Sequence, residues 1–378
     1  MKRRDIQLSI VTMVRDELDV IPAFIGHHAR LFDRIVVVDH RSVDGTREFL
    51  HHVAGKCGSC TIEVLRYDHA AYRQSMISTF LARREFRRGA DWVGVLDADE
   101  FLDVRGREDL VRRLSGCGEV VAFSWLNLLP VNPPLDAHTI PPFETRQQFI
   151  TLTSEWPPTR GKVLLHRNFA RRHRRFVLPD GNHKVRAWNG GPKIPTEIVG
   201  RLLHVPARSP LQVLQKRENL VAARSHDTAD WRDRHAHERQ LEEARKVAES
   251  PRAAQVQSLF RAIVTHYEGT SGLGSRGASV ALVDFPQVRV PTLPPLPDVA
   301  TMPTTPRTTP VSSAGSTRGD QMLRVAIRAR SLVVGRHPAG LLLALKEKFR
   351  SNLPRWLSDR LSKTLAPLRR VLFRRDSG

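Results

Sequence analysis

Trp92-Val93-Gly94-Val95-Leu96-Asp97-Ala98-Asp99-Glu100-Phe101 decides how the rest of the chain is read. An apolar run stops in two carboxylates, Asp97 and Asp99, spaced by one small residue, with Glu100 directly behind. A buried strand keeps a pair of acids at its carboxyl end where something cationic or polar neutralises them. In an open α/β sheet that end is where ligands bind. Two hard oxygen donors there suit Mg2+ or Mn2+, metals that commonly bridge a protein to phosphate. A strand that simply stops in an acidic turn is the competing reading. These ten residues alone do not separate the two.

Outward from this stretch, strand and helix patterns alternate. Residues 6–14, Arg34–Asp39, 61–67, 92–96 and 120–125 are apolar, β-rich runs, and 19–31, 44–53 and 72–88 carry helical spacing between them. Continuous apolar strands separated by helices predict an α/β fold: a mostly parallel sheet with helices on both faces. From 129 to 155 the pattern breaks into a Pro-rich loop, the place for a substrate-binding insertion. Further strands are predicted at 161–167, 176–185 and 198–204. Ser209-Pro210 then opens a helix to 225. The chain divides into an α/β domain over 1–225 and a helical extension over 226–285. A disordered Pro/Thr/Ser-rich linker (286–320) and a basic amphipathic helical tail (321–378) follow.

Charge is the unusual bulk property: the 378 residues carry a formal +21. The last 58 residues hold 14 Lys/Arg against 3 acids, so about half of it lies in the tail. There Trp356, Leu357, Leu361, Leu365, Leu368 and Leu372 fall at helical spacing with arginines between them, which predicts contact with an anionic membrane surface, the alternative being a helix that docks on a partner. A nucleic-acid partner is not expected, because the chain has only three Tyr and no recognisable nucleic-acid module. Three cysteines are too few for a disulfide framework. With no secretory pattern and no run of ~18–20 apolar residues, the expected location is cytoplasmic, peripheral at the inner face of the membrane. His51, His52, Cys57 and Cys60 make a weak zinc pattern, and Arg171-Arg172-His173-Arg174-Arg175 reads first as a solvated turn.

Three other segments set polar residues directly after an apolar strand: Arg15-Asp16-Glu17, Asp39-His40-Arg41-Ser42-Val43-Asp44-Gly45-Thr46, and His204-Val205-Pro206-Ala207-Arg208-Ser209 with Lys216 in the following helix. Parallel strands bring such ends to one edge. Together with Asp97-Ala98-Asp99, and in this order over residues 6–220, they resemble the family 2-type glycosyltransferases, in particular the bacterial branch that begins with a Lys/Arg-Asn-Glu-like motif. The resemblance implies a nucleotide-sugar-binding fold of the glycosyltransferase A type. It also implies transfer of a sugar from a nucleotide-diphospho-sugar to an acceptor hydroxyl, with inversion, in cell-surface polysaccharide or glycoconjugate synthesis. The implied cofactor is Mn2+ or Mg2+, the donor a UDP- or GDP-sugar, and the acceptor a glycan or a lipid-linked sugar.

By the same resemblance Asp99 and His204 ligate the metal. Asp97 faces the ribose or a metal-bound water, or serves as a third ligand. Asp39 contacts the base or ribose, and Arg208 and Lys216 lie against the diphosphate, with Arg15, Glu17 and Asp44 in the same binding edge. Trp156 is a candidate to stack on a sugar face. Candidates for the base that takes the acceptor proton are Asp180, His183 and Glu155. Two departures stand out: Asp16 replaces the family's usual Asn, and the His40-Arg41 turn is bulky. The alternatives are a non-catalytic sugar-nucleotide-binding protein and a basic nucleic-acid-binding protein.

Overall fold

The computed structural model describes residues 5–54, 58, 60–143, 147–153, 161–187, 194–225, 234–268, 279–283 and 285. Glu155, Trp156, Cys57, the expected linker and the expected tail lie outside these residues. The chain runs β1 (Leu8–Val14), α1 (Ile21–His28), β2 (Arg34–Asp39), α2 (Thr46–Val53), β3 (Thr61–Arg66), α3 (Gln74–Arg87), β4 (Trp92–Val95), β5 (Glu100–Leu102) and α4 (Arg107–Leu114). It continues through β6 (Val120–Pro130), β7 (Phe149–Thr153), β8 (Gly161–His166), α5 (Arg167–Arg172), β9 (Glu197–His204), α6 (Pro210–Ser225), α7 (Arg234–Glu249), α8 (Ala253–Glu268) and β10 (Ser279–Val283).

The fold is α/β, but the sheet is mixed, and the expectation of a mostly parallel one is corrected. In the order β10-β7-β6-β8-β4-β1-β2-β3, only the β4-β1-β2-β3 half is parallel throughout. Strand β8 lies antiparallel between β4 and β6, β7 and β10 continue antiparallel, and β9 runs parallel to β6 and antiparallel to β5. A fully buried strand is apolar on both faces whichever way it runs, so Val163, Leu164 and Leu165 of β8 do not announce its direction. The strand expected at 176–185 shrinks to one bridge between Val177 and Arg186, because Pro179-Asp180-Gly181 turns the chain, with Gly181 at φ +81°.

Leu8, Ile10, Ile35, Val37, Phe24 and Phe101 belong to one main core of fully or nearly fully buried side chains. A second cluster, including Val213, Val247, Leu259, Phe260 and Ile263, joins α6, α7 and α8. Gly161 permits the closest backbone approach: a Cβ there would collide with the Phe123 carbonyl and Ser124 Cα on β6. Among the described residues no helix is long and apolar enough to cross a membrane.

Two histidines of α1 sit inside this core. His27 gives its Nε2 proton to the Leu102 carbonyl and His28 its Nδ1 proton to the Phe24 carbonyl. Burial lowers the pKa of His27 to about 4 and that of His28 well below its ordinary value. Both stay neutral in the folded chain, whereas in the unfolded chain they take up protons as the pH falls past about 6.5. Stability is therefore full above that value and is lost as the pH drops toward 4. Melting temperature is expected to fall by several degrees between pH 7 and pH 5, with a shallower slope in H27Q; an equal slope in that variant would remove His27 as a cause.

Candidate functional site

The carboxylates of the acidic turn are separated by the strands on either side. Lys162 of β8 is fully buried and delivers its ammonium to Asp97 Oδ2 at 2.6 Å and to the Gly181 carbonyl at 2.9 Å, with Glu100 Oε1 at 3.5 Å. Gln74, the first residue of α3, repeats the link: its Nε2 donates to Asp97 Oδ1 at 3.0 Å and its Oε1 accepts from the Gly181 amide at 2.8 Å. Both oxygens of Asp97 are thus engaged, and the turn carrying Gly181 is tied to the acidic pair twice. Glu100 accepts from the Asp97 amide and from Trp125 Nε1. Burial, with the charges of Asp97 and Asp99, raises its pKa to about 8 despite Lys162.

Asp99 faces the other way. Strand β5 pairs with β9 so that Glu100 lies opposite His204, and the Val205 amide donates to the Asp99 carbonyl. This register puts His204 Nε2 3.7 Å from Asp99 Oδ2. His204 Nδ1 lies 2.7 Å from Asn127 Oδ1; an amide oxygen only accepts, so Nδ1 carries the proton and Nε2 the lone pair. Burial lowers the His204 pKa to about 4, which keeps the ring neutral. Trp125 stacks on it at 4.5 Å and 16°.

From α6, Lys216 Nζ reaches Asp99 Oδ2 at 2.5 Å and Glu17 Oε1 at 3.5 Å. Burial alone would raise the Asp99 pKa; Lys216 and Arg208 overcome that and hold the carboxyl well below its ordinary range. Arg208 is itself spent on Asp19 (Nε to Oδ2, 2.5 Å) and Glu17 (2.7 Å). It fixes the loop after β1.

A cavity of about 270 Å3 opens here, with Arg15, Asp97, Asp99, His183, His204 and Lys216 among its walls. His183 donates from Nδ1 to the Gly161 carbonyl at 2.8 Å, leaving the lone pair on Nε2, and its ring stands edge-on to Trp125. Burial lowers the pKa of Arg15, whose Nε has no hydrogen-bond partner. Beside Arg208, which is not a cavity wall and does not lie where a diphosphate was expected, three more expected site residues do other work. Asp39 does not line the cavity; Arg47 clamps its Oδ2 through Nε and Nη2. Asp44 ties together the loops after β1 and β2 through the Leu18 and Thr46 amides. Asp180 accepts from the Ser75 amide and is not a cavity wall. Asp16, at φ +52°, joins the Val43 amide to Asn219 of α6, a cross-link that accounts for an acid at this place.

Among the described residues no three His, Cys, Asp or Glu side chains converge as a metal site. The Asp99–His204 pair nevertheless fits a divalent cation: a carboxylate and a neutral imidazole, the ring oriented by Asn127, face each other with two acceptor atoms and leave positions for phosphate and water. Lys216 sits on Asp99 Oδ2 and has to swing aside for such a cation, whereas Lys162 and Gln74 hold both oxygens of Asp97. Sequence reading missed Lys162, Gln74, Asn127 and Trp125. The lysine had a signal, a charge embedded in the apolar strand Gly161–His166, which demands an internal counterion.

No protein-family model matches the chain, and comparison with curated proteins gives no match. Among solved structures, a mannosyltransferase from Pyrobaculum calidifontis in complex with GDP-Man and Mn2+ is 11% identical, over 70% of this chain and 75% of that one, at a TM-score of 0.32. A putative glucose-1-phosphate thymidylyltransferase from Bacillus anthracis is 10% identical over 61% and 99%, also at 0.32. A 4-diphosphocytidyl-2C-methyl-D-erythritol synthase from Anaerococcus prevotii is 11% identical over 43% and 71%, at 0.26.

Proposed function

We propose that the chain is a metal-dependent glycosyltransferase. It moves a sugar with inversion from a UDP- or GDP-linked donor to a hydroxyl of a glycan or lipid-linked acceptor, in the assembly of cell-surface polysaccharide or glycoconjugate. One observation carries this reading: the neutral His204 imidazole and the ionised Asp99 carboxylate present acceptor atoms to each other beside a cavity, with Lys216 against them. Asp99 and His204 would hold Mn2+ or Mg2+. When bound, the metal neutralises charge on the leaving diphosphate.

The chain's own residues supply the rest. Lys216, about a third exposed at its side chain, can turn its ammonium from Asp99 to a phosphate oxygen, and Arg15 offers a guanidinium from the wall of the same cavity. Of the base candidates among the described residues, His183 and not Asp180 lies in the cavity wall, and its Nε2 takes the proton of the attacking hydroxyl. Lys162 and Gln74 hold the turn from which His183 projects.

Thermal shift of the full chain with UDP- and GDP-sugars, with and without Mn2+, tests the reading. One nucleotide family is expected to stabilise the fold by about 2.7 kcal/mol at a hundredfold excess over Kd, and only with metal. Stabilisation by no nucleotide under either condition overturns it. In H183Q the same shift is expected, with transfer slowed by about 10²–10⁴-fold.

A further inference from the structure

Most charge around the cavity is consumed within the fold: Lys162 by Asp97 and Glu100, Lys216 by Asp99, Arg208 by Asp19 and Glu17. Two arginines of α6 also line the cavity, one with no carboxylate partner among the described residues and one with a single, exposed one. Arg217 is 4% exposed, and its Nη1 meets His237 Nδ1 at 3.2 Å; no carboxylate of the described residues lies within ion-pair distance. Arg224 lies over the Tyr72 ring at 5.1 Å, and its buried Nε has no acceptor. Its ion-pair partner is Asp180, 3.5 Å from Nη1 on a side chain 42% exposed, so that pairing is screened by solvent.

A buried cation without a counterion, as Arg217 is among the described residues, is costly, and a fold keeps one where an anion arrives. Arg224, held by an exposed carboxylate, can exchange that partner for the same anion. Seven residues separate the two arginines, which places them on one helix face about 10.5 Å apart along the axis. Arg224 lies eight residues, or about 12 Å, beyond Lys216, further than one diphosphate spans. Guanidinium groups also suit planar, two-point capture of carboxylate or phosphate.

We propose that Arg217 and Arg224 form a second anion subsite, which grips a phosphate or carboxylate carried by the sugar donor or by the acceptor, apart from the donor's diphosphate. This rests on the cavity being a sugar-transfer site. Calorimetric titration of the full chain compares glucose 6-phosphate with glucose in the absence of nucleotide and metal, and UDP-glucuronate with UDP-glucose in the presence of Mn2+. An anion borne by the acceptor gives the first pair an advantage of about tenfold or more; one borne by the donor gives it to the second. In either case R217M and R224Q each erase the advantage, and R245Q, on the exposed side of α7, leaves it. Should R217M not fold, the less buried R224Q decides. An advantage absent from both pairs, or surviving in R224Q, overturns the subsite. A chain that prefers glucose 6-phosphate through Arg224 yet binds no nucleotide sugar keeps the subsite and fails as a transferase.

Discussion

Asp99→Asn is expected to abolish metal-dependent stabilisation by nucleotide sugars and to lower transfer by about two to three orders of magnitude. The amide keeps the shape of the carboxylate but removes its charge, at a residue 2% exposed. Lys216 and Arg208 keep their charges, and the cavity becomes more cationic where a metal has to enter. Loss of metal binding, read by electron paramagnetic resonance of added Mn2+, separates this effect from general damage. Asp97→Asn makes the sharpest contrast. Its oxygens already belong to Lys162 and Gln74, so Mn2+ affinity should change by less than about threefold, a margin too small for a lost metal ligand. Equal losses in the two variants would make Asp97 a ligand and remove the division of labour between the acids.

Lys162→Met should cost about 3–5 kcal/mol of folding stability in chemical denaturation. Methionine fills much the same space, so the loss is electrostatic. Asp97 is left charged without its ammonium, and the Gly181 carbonyl loses its donor. Adding Asp97→Asn to Lys162→Met removes the stranded charge and should recover part of the loss, a coupling that a double-mutant cycle reads directly. Additive losses would show that Lys162 matters only through its stem. Because the same ammonium holds the turn below His183, the single variant should also lower kcat more than it raises KM.

The strand-then-acid stretch at 92–101 made the parallel half of the sheet legible, since Val-rich runs between amphipathic helices have few other solutions. It did not show strand direction beyond β4, because β6 and β8 are apolar on both faces and composition carries no arrow. Asp99, His204 and Lys216 stood out as polar residues following apolar strands, and the fold brings those three together. Asp39 and Asp44 stood out by the same sign, yet they bind Arg47 and backbone amides. A carboxylate at a strand end has the same local sequence whether it serves a ligand or a loop. Which of the two it serves depends on partners such as Arg47 or Lys162, far away along the chain.

That distance has a consequence for how the chain is made. Arg208 meets Asp19 across 189 residues and Lys216 meets Asp99 across 117. Contacts of such long range form late, after the loops between them have closed. A nascent chain that has not yet released α6 from the ribosome holds Glu17, Asp19 and Asp99 without their cations. The cavity cannot take shape before α6, and Tyr267 of α8 after it, have emerged, so competence to bind a ligand reports that synthesis has passed both helices.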